Sequence, residues 1–169
     1  MLKWLWLSFL VLLVDQFSKY LIVTNMQLGE RVPLLSFIEL NYVHNPGVAL
    51  GMLQWLGDWG TVIFVVIALL VSILVVNWLR KLSSHEKLFA AGLSLVLGGA
   101  IGNVIDRFIY TDAVNNKMGV VDFIHVYVTS NDYFPFIFNV ADSAISIGVA
   151  LIVIYEIFFK KIAAKNQEA

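Results

Sequence analysis

Long apolar runs, broken by short polar interruptions, dominate the chain. Four of them are long enough to cross a membrane: residues 4–23, 59–79, 88–105 and 139–159. Each approaches the ~20 residues an α-helix needs to traverse a hydrocarbon core of about 30 Å. The first runs past Asp15 to Val23 with no small-x-small site after it, so it reads as a span and not as a cleaved leader. The intervening segments, 24–58 and 106–138, change period. Ile38, Leu40 and Tyr42 alternate with Glu39 and Asn41, the signature of a half-buried strand. Pro33 and Asn45-Pro46-Gly47 supply turns on either side. Residues 48–56 are apolar, carry Trp55 and are too short to span, which predicts a short helix lying in the interface. A polar insert, 111–117, precedes a second apolar stretch, 120–128. There is no internal repeat and no low-complexity tract.

Composition agrees with this pattern. The chain is 60% hydrophobic and 14% charged, with mean hydropathy +0.83. A soluble domain would carry roughly 25% charged residues. A chain of 169 residues suits one integral membrane domain, 1–169, and not two domains. Net charge of -1 leaves no footprint for nucleic acid. With no cysteine, thiol nucleophiles, disulfides and Cys-ligated metals are excluded. Seven of the eleven Lys and Arg fall on one side (Lys3, Arg80, Lys81, Lys87, Lys160, Lys161, Lys165). The positive-inside rule then predicts cytoplasmic termini and an outward location for 24–58 and 106–138.

Against this background the polar residues converge on one depth. Asp15 lies about 18 Å beyond Lys3 at the helical rise of about 1.5 Å per residue, in the outer half of the first span. Lys19 follows at i+4 on the same face, so the two can pair. Asn103, Asp106 and Arg107 fall at the outer end of the third span, and Asn139 and Asp142 at the outer start of the fourth. The cytoplasmic halves hold little beyond Asn77 and Glu156. An ion path needs polar groups through the whole thickness, and transporter sites sit near the midplane, so neither class fits.

Two aspartates stand in strings where a carboxylate is costly: Asp122 in Gly119-Val-Val-Asp-Phe-Ile124, and Asp142 in Phe138-Asn-Val-Ala-Asp-Ser-Ala-Ile145. A charge at membrane depth costs roughly +2.5 to +3.5 kcal/mol on insertion scales. Brought together, two such groups can share one proton, the arrangement of aspartyl hydrolysis. Each residue also has a structural alternative. Asp15 with Lys19 reads first as an ion pair. Arg107 could snorkel to headgroups. Asn139 could cap a helix, which would put Asp142 at N3, where the dipole favours a carboxylate. Asp122 could be an exposed loop residue. Gly98 and Gly102 read as a small-xxx-small packing face. His44, His85 and His125 lack metal-ligand spacing, and no metal is expected. Ser8, Ser72, Ser94 and Ser146 have no base at matching depth.

Five blocks, in order, resemble the bacterial lipoprotein signal peptidases (type II signal peptidases). They are Asp15-Gln16-Phe17-Ser18-Lys19; Asn45-x-Gly47; Gly98-Gly-Ala-Ile-Gly-Asn-Val-Ile-Asp-Arg107; Val120-Val-Asp-Phe-Ile124; and Phe138-Asn-Val-Ala-Asp-Ser-Ala144. Two details depart from the family pattern: Val48-Ala49-Leu50 where Ala-Ala-Phe or Ala-Ala-Trp is usual, and the length of 111–117. The resemblance implies an all-α membrane protein, a four-transmembrane-helix bundle with a small extracytoplasmic β-cradle and a short interfacial helix. It implies Asp122 and Asp142 as catalytic dyad. Asn45, Gly47, Asn103, Arg107, Asn139 and Ala141 would line the substrate site, and Asp15, Lys19 and Asp106 would support it. The implied reaction removes the signal peptide from a prolipoprotein whose new N-terminal cysteine carries diacylglycerol, at the outer face of the bacterial inner membrane. The expected partners are that substrate and membrane phospholipid, with no cofactor and a monomeric chain. The sequence does not say which aspartate holds the proton. The alternative is a non-enzymatic scaffold or lipid-binding subunit, for which both aspartates would be dispensable. A presenilin-type protease would need Gly-x-Gly-Asp within a span, and no such string occurs.

Overall fold

A 3-10 turn, Leu2–Trp4, leads into helix α1, Leu5–Asn25. Strands β1, Arg31–Leu35, and β2, Ile38–Asn45, follow, then helices α2, Asp58–Lys81, and α3, Lys87–Ile109. Strands β3, Val120–Val126, and β4, Ile137–Phe138, precede helix α4, Val140–Ile154, which continues as a π-helical turn, Tyr155–Phe159. This computed structural model describes residues 1–45, 58–110, 119–127 and 136–159. The expected turn at Pro46-Gly47, the interfacial helix over 48–56 and the insert 111–117 lie outside the described residues.

Among the described residues four helices are long and apolar enough to cross a membrane. No proline interrupts them, and three run further than the apolar pattern alone suggests. Helix α3 continues through Asp106 and Arg107 to Ile109, so both charged side chains project from a helix wall. Helix α3 is central and packs against the other three helices. Its glycines permit this. A Cβ on Gly98 would stand 2.6 Å from Ser8 O on α1, and one on Gly92 2.8 Å from Gly148 O on α4. The opposite faces of α1 and α2 present Phe9, Leu13 and Phe17, and Val66, Leu70 and Leu74, to the surroundings. Bare apolar flanks of this kind belong in lipid.

At one end of the bundle the four strands form an antiparallel sheet in the order β1-β2-β3-β4. It packs on the end of α1, where Ile22 meets Tyr42, Val121 and Phe123. Two sequence expectations change here. The alternation from Ile38 to Tyr42 is broken by an irregularity between Leu40 and Val43, and Asn41 and Tyr42 are both buried. Asp122 lies in strand β3, opposite Val43, and not in an exposed loop. The β3 pairing joins segments far apart in sequence, with Asn45 opposite Val120, so no local pattern announces it.

Candidate active site

The end of α4 that meets the sheet begins with a reciprocal cap. Asn139 Oδ1 accepts from the Asp142 backbone N–H at 2.9 Å, and the Asn139 backbone N–H donates to Asp142 Oδ2 at 3.2 Å. This is the capping alternative foreseen for Asp142, and it holds geometrically. The same asparagine does more than cap. Its Nδ2 donates to Asp122 Oδ1 at 2.7 Å, so one side chain ties both aspartates. Asn45, at the end of β2, donates to the other oxygen, Asp122 Oδ2, at 2.8 Å. Asn103, on α3, donates to Asp142 Oδ1 at 2.8 Å. The two carboxylates therefore share one amide-lined site, with strand β3 supplying one and helix α4 the other.

Their environments differ. Asp122 is 1% exposed, while Asp142 is half-buried and borders open space. Burial pushes the Asp122 carboxyl from the usual carboxylate range up to about 7, and the nearby Asp142 charge pushes the same way. Hydrogen bonds from Asn45 and Asn139 and the Lys19 charge oppose the shift without cancelling it. At Asp142 the positive end of the α4 dipole attracts negative charge.

Behind the pair lies a buried ionic layer. Lys19 Nζ is 2.8 Å from Asp15 Oδ2 and 2.7 Å from Asp106 Oδ2, and all three side chains are fully buried. The Asp15–Lys19 pairing is the one expected from i+4 spacing; the second carboxylate arrives by tertiary packing. Each carboxylate grips the residue just before a site aspartate. Asp15 Oδ1 accepts from the Ala141 N–H at 2.9 Å, and Asp106 Oδ2 from the Val121 N–H at 3.1 Å. Lys19 also donates to Asn103 Oδ1 at 3.2 Å, linking the layer to Asp142. Gln16, which sequence reasoning passed over, donates to Asp106 Oδ1 at 2.8 Å and to Gly102 O at 3.3 Å. Its signal was an amide one residue after Asp15 at the same membrane depth.

Two of the residues expected to line the substrate site, Ala141 and Arg107, are themselves buried. Ala141 is fully buried, so it is held by packing and does not face open space. Arg107 is 9% exposed; its Nη1 donates to Asn103 O at 2.7 Å and its guanidinium lies 5.3 Å from the Phe64 ring centroid, so it does not snorkel to the surface. Such a cation–π contact is worth about 0.5–1 kcal/mol at exposed sites and more when desolvated. Its Nε has no hydrogen-bond partner among the described residues. Gly47 lies outside the described residues.

Open space adjoins Asp142 on two sides. A cavity of about 340 Å³ has Asn45, Asn103, Arg107 and Asp142 at its polar end and Phe64, Ile67, Val71, Val96 and Ile145 along its apolar walls. A second, of about 400 Å³, runs along α4 beside Phe136, Phe138, Ser143 and Ile147. Together they offer a polar reaction point flanked by apolar grooves. Among the described residues no cluster of three or more His, Asp or Glu could hold a metal.

Glycine makes the close packing possible. A Cβ on Gly102 would stand 2.5 Å from Asp15 Oδ2, and one on Gly99 would overlap Ala141 O. Overpacking of this kind costs about 1–3 kcal/mol. Gly102→Ala and Gly99→Ala are expected to lower the melting temperature and to cut turnover more than the exposed-surface control Val66→Ala. Wild-type turnover and melting in both variants would contradict this packing.

Residues 7–158 match the model of a family described as signal peptidase (SPase) II. A lipoprotein signal peptidase from Acinetobacter baumannii (strain SDF) is 41% identical over 169 residues, covering 99% of this chain and 90% of its own. One from Pseudoalteromonas translucida is 46% identical over 151 residues, covering 89% and 86%. A solved structure of a bacterial membrane enzyme superposes with a TM-score of 0.77 at 30% identity, covering 95% of this chain and 96% of that one.

Proposed function

Since the chain belongs to the signal peptidase II family, we propose that Asp122 and Asp142 are the carboxylate pair with which it works. The protein is a membrane aspartic peptidase that removes signal peptides from prolipoproteins, and it is a multi-pass protein of the bacterial inner membrane. The observation that carries the dyad is the single residue Asn139, whose side-chain amide donates to the Asp122 carboxylate and whose backbone N–H donates to the Asp142 carboxylate.

The difference in burial divides the work. Asp122 carries the shared proton in the resting enzyme and Asp142 is ionised. Asp142 takes a proton from water as the water oxygen attacks the scissile carbonyl carbon. Asp122 donates its proton to the carbonyl oxygen, giving a neutral tetrahedral intermediate. As the C–N bond breaks, the leaving nitrogen takes the proton held by Asp142, and Asp122 regains its own from the collapsing hydroxyl. One water is consumed and both carboxyls return to their starting states. Asn45, Asn103 and Asn139 hold the pair in register, and the Nε–H of Arg107 is suited to a substrate carbonyl or lipid phosphate oxygen. The grooves beside Asp142 suit the apolar parts of a substrate anchored by diacylglycerol on its cysteine. Anchoring of that kind removes much of the entropy cost of bringing bond and dyad together.

The basic residues around 80–87 and at both ends support cytoplasmic termini and a dyad facing the outer side. The chain acts as a monomer among phospholipids in this reading.

A protonated Asp122 has a consequence for pH. The carboxyl is raised to about 7, so its acid form predominates below that value and is lost above it. The kcat/KM for a diacylglyceryl-modified prolipoprotein should fall about tenfold per pH unit above this value, as expected for a required acid of the free enzyme. A flat profile from pH 6 to 9 would remove Asp122 from the acid role.

A further inference from the structure

Gln16 stands one residue after Asp15 on α1, off the face that Asp15 and Lys19 share, and is half-buried. From there its amide reaches α3. Nε2 lies 2.8 Å from Asp106 Oδ1, 3.3 Å from Gly102 O and 3.2 Å from Asp15 Oδ2. Its amide hydrogens thus meet three acceptors. A carbonyl oxygen in that place would face three oxygens, so the surroundings fix which end of the amide points inward. Gln16 lines neither of the cavities beside Asp142.

The buried layer sets two carboxylates against one ammonium, and the donors divide unevenly among the oxygens. Lys19 Nζ lies against Asp15 Oδ2 and Asp106 Oδ2. The Ala141 N–H donates to Asp15 Oδ1, and the Val121 N–H to Asp106 Oδ2. That leaves Asp106 Oδ1, whose one donor among the described residues is Gln16. Asp106 is 0% exposed, and a buried acceptor without a donor is costly. A carboxylate also turns easily about its Cβ–Cγ bond, where the torsional wells are broad. With Oδ1 left without a donor, rotation toward Lys19 or Val121 would move Oδ2 off the Val121 N–H. Gln16 holds Oδ1 and so keeps Oδ2 aimed at that N–H. The next residue along the strand is Asp122.

We propose that Gln16 is a positioning residue for the dyad: through Asp106 it sets where strand β3 holds Asp122 relative to Asp142. This role rests on the assignment of the two aspartates as the working pair. The contacts run from Gln16 Nε2 to the Asp106 carboxylate, from there to the Val121 N–H, and along the strand to Asp122; Gln16, Asp106 and Val121 line neither cavity. A residue that aligns reacting groups without touching substrate lowers kcat and kcat/KM together when it is lost, and leaves KM alone. A misplacement of about 1 Å at a reacting group can cost about 100-fold in rate.

Two substitutions separate the amide's donors from its bulk. Gln16→Met keeps length and volume without a donor, and Gln16→Asn keeps the amide but ends one methylene short of Asp106. Each is compared with the wild type and Asp142→Asn in steady-state cleavage of a diacylglyceryl-modified prolipoprotein by the full-length protein in detergent. Should one variant fail to fold, the other carries the comparison. Amide exchange at Val121 and Tyr127 is followed by NMR in the same preparations. Tyr127 N–H, which donates to Phe37 O at 3.0 Å, is the control in the same sheet. The expected result is a fall in kcat of about 10- to 100-fold in both variants with KM within about twofold of wild type. Exchange at Val121 should quicken while that at Tyr127 does not change. Wild-type kcat in either Gln16 variant, beside an inactive Asp142→Asn, would overturn the positioning role and leave the dyad standing. So would a raised KM at unchanged kcat, which would make Gln16 a substrate contact. Equal quickening at Val121 and Tyr127 would overturn it too, by making Gln16 a general packing residue. An active Asp142→Asn would overturn the dyad and the positioning role with it.

Discussion

Asp122→Asn and Asp142→Asn are each expected to leave a folded, inserted protein that has lost prolipoprotein cleavage. Positioned acid–base groups contribute about 10²- to 10⁴-fold, and a loss in that range is expected from either change alone. The fold should tolerate both. Asparagine keeps the carboxylate's shape, and each site aspartate accepts from two donors: Asn45 and Asn139 for Asp122, Asn103 and the Asn139 backbone for Asp142. An amide keeps one acceptor and sacrifices one bond, worth about 1 kcal/mol net. At Asp122 removal of a buried titrating group offsets part of this. Melting in detergent and size-exclusion profiles should match wild type closely while initial rates collapse. A scaffold or lipid-binding subunit would tolerate both substitutions in its function, and an enzyme would not.

Lys19→Met has the largest expected effect on stability. The ammonium is 0% exposed and lies between Asp15 and Asp106 at 2.8 and 2.7 Å. Without it two carboxylates remain buried beside each other with no cation between them. Breaking a buried pair in this way costs about 3–5 kcal/mol, chiefly from the stranded charge. The damage should also reach the chemistry, because Asp15 and Asp106 hold the N–H groups of Ala141 and Val121, each one residue before a dyad aspartate. A neutralised layer, Asp15→Asn with Lys19→Met and Asp106→Asn, removes the stranded charges and should melt higher than Lys19→Met alone. Cleavage should remain low in both, since the carboxylate grips are weakened. If Lys19→Met melts with the wild type, the ionic layer is not what secures the site.

Features made by neighbours in sequence were legible before the fold was known. The four spans follow from run length. The Asp15–Lys19 pair follows from i+4 spacing, and the Asn139 cap with Asp142 at N3 from four consecutive residues. Features made by long-range pairing were not. Asp122 looked like a loop residue because β3 gains its strand partner from β2, and the 3.1 Å bond from Val121 to Asp106 ties it to α3. The alternation in β2 gave the strand but missed the irregularity that buries Asn41 and Tyr42 together. Lys19 gained its second carboxylate, and Gln16 its bond to Asp106, only when α3 packed on α1. The glycines of α3 looked like a packing face. That holds for Gly98 against α1, but Gly99 and Gly102 also make room for Ala141 and for the Asp15 carboxylate.

The dyad is tested most directly by single-turnover cleavage of one diacylglyceryl-modified prolipoprotein by wild type, Asp122→Asn, Asp142→Asn and the double variant. Groups that act as a unit are non-additive, and losing one costs about as much as losing both. Both single variants should fall close to background, with the double variant no lower. Appreciable cleavage by either single variant, or a double variant slower by the product of the two single losses, would contradict a proton-sharing pair.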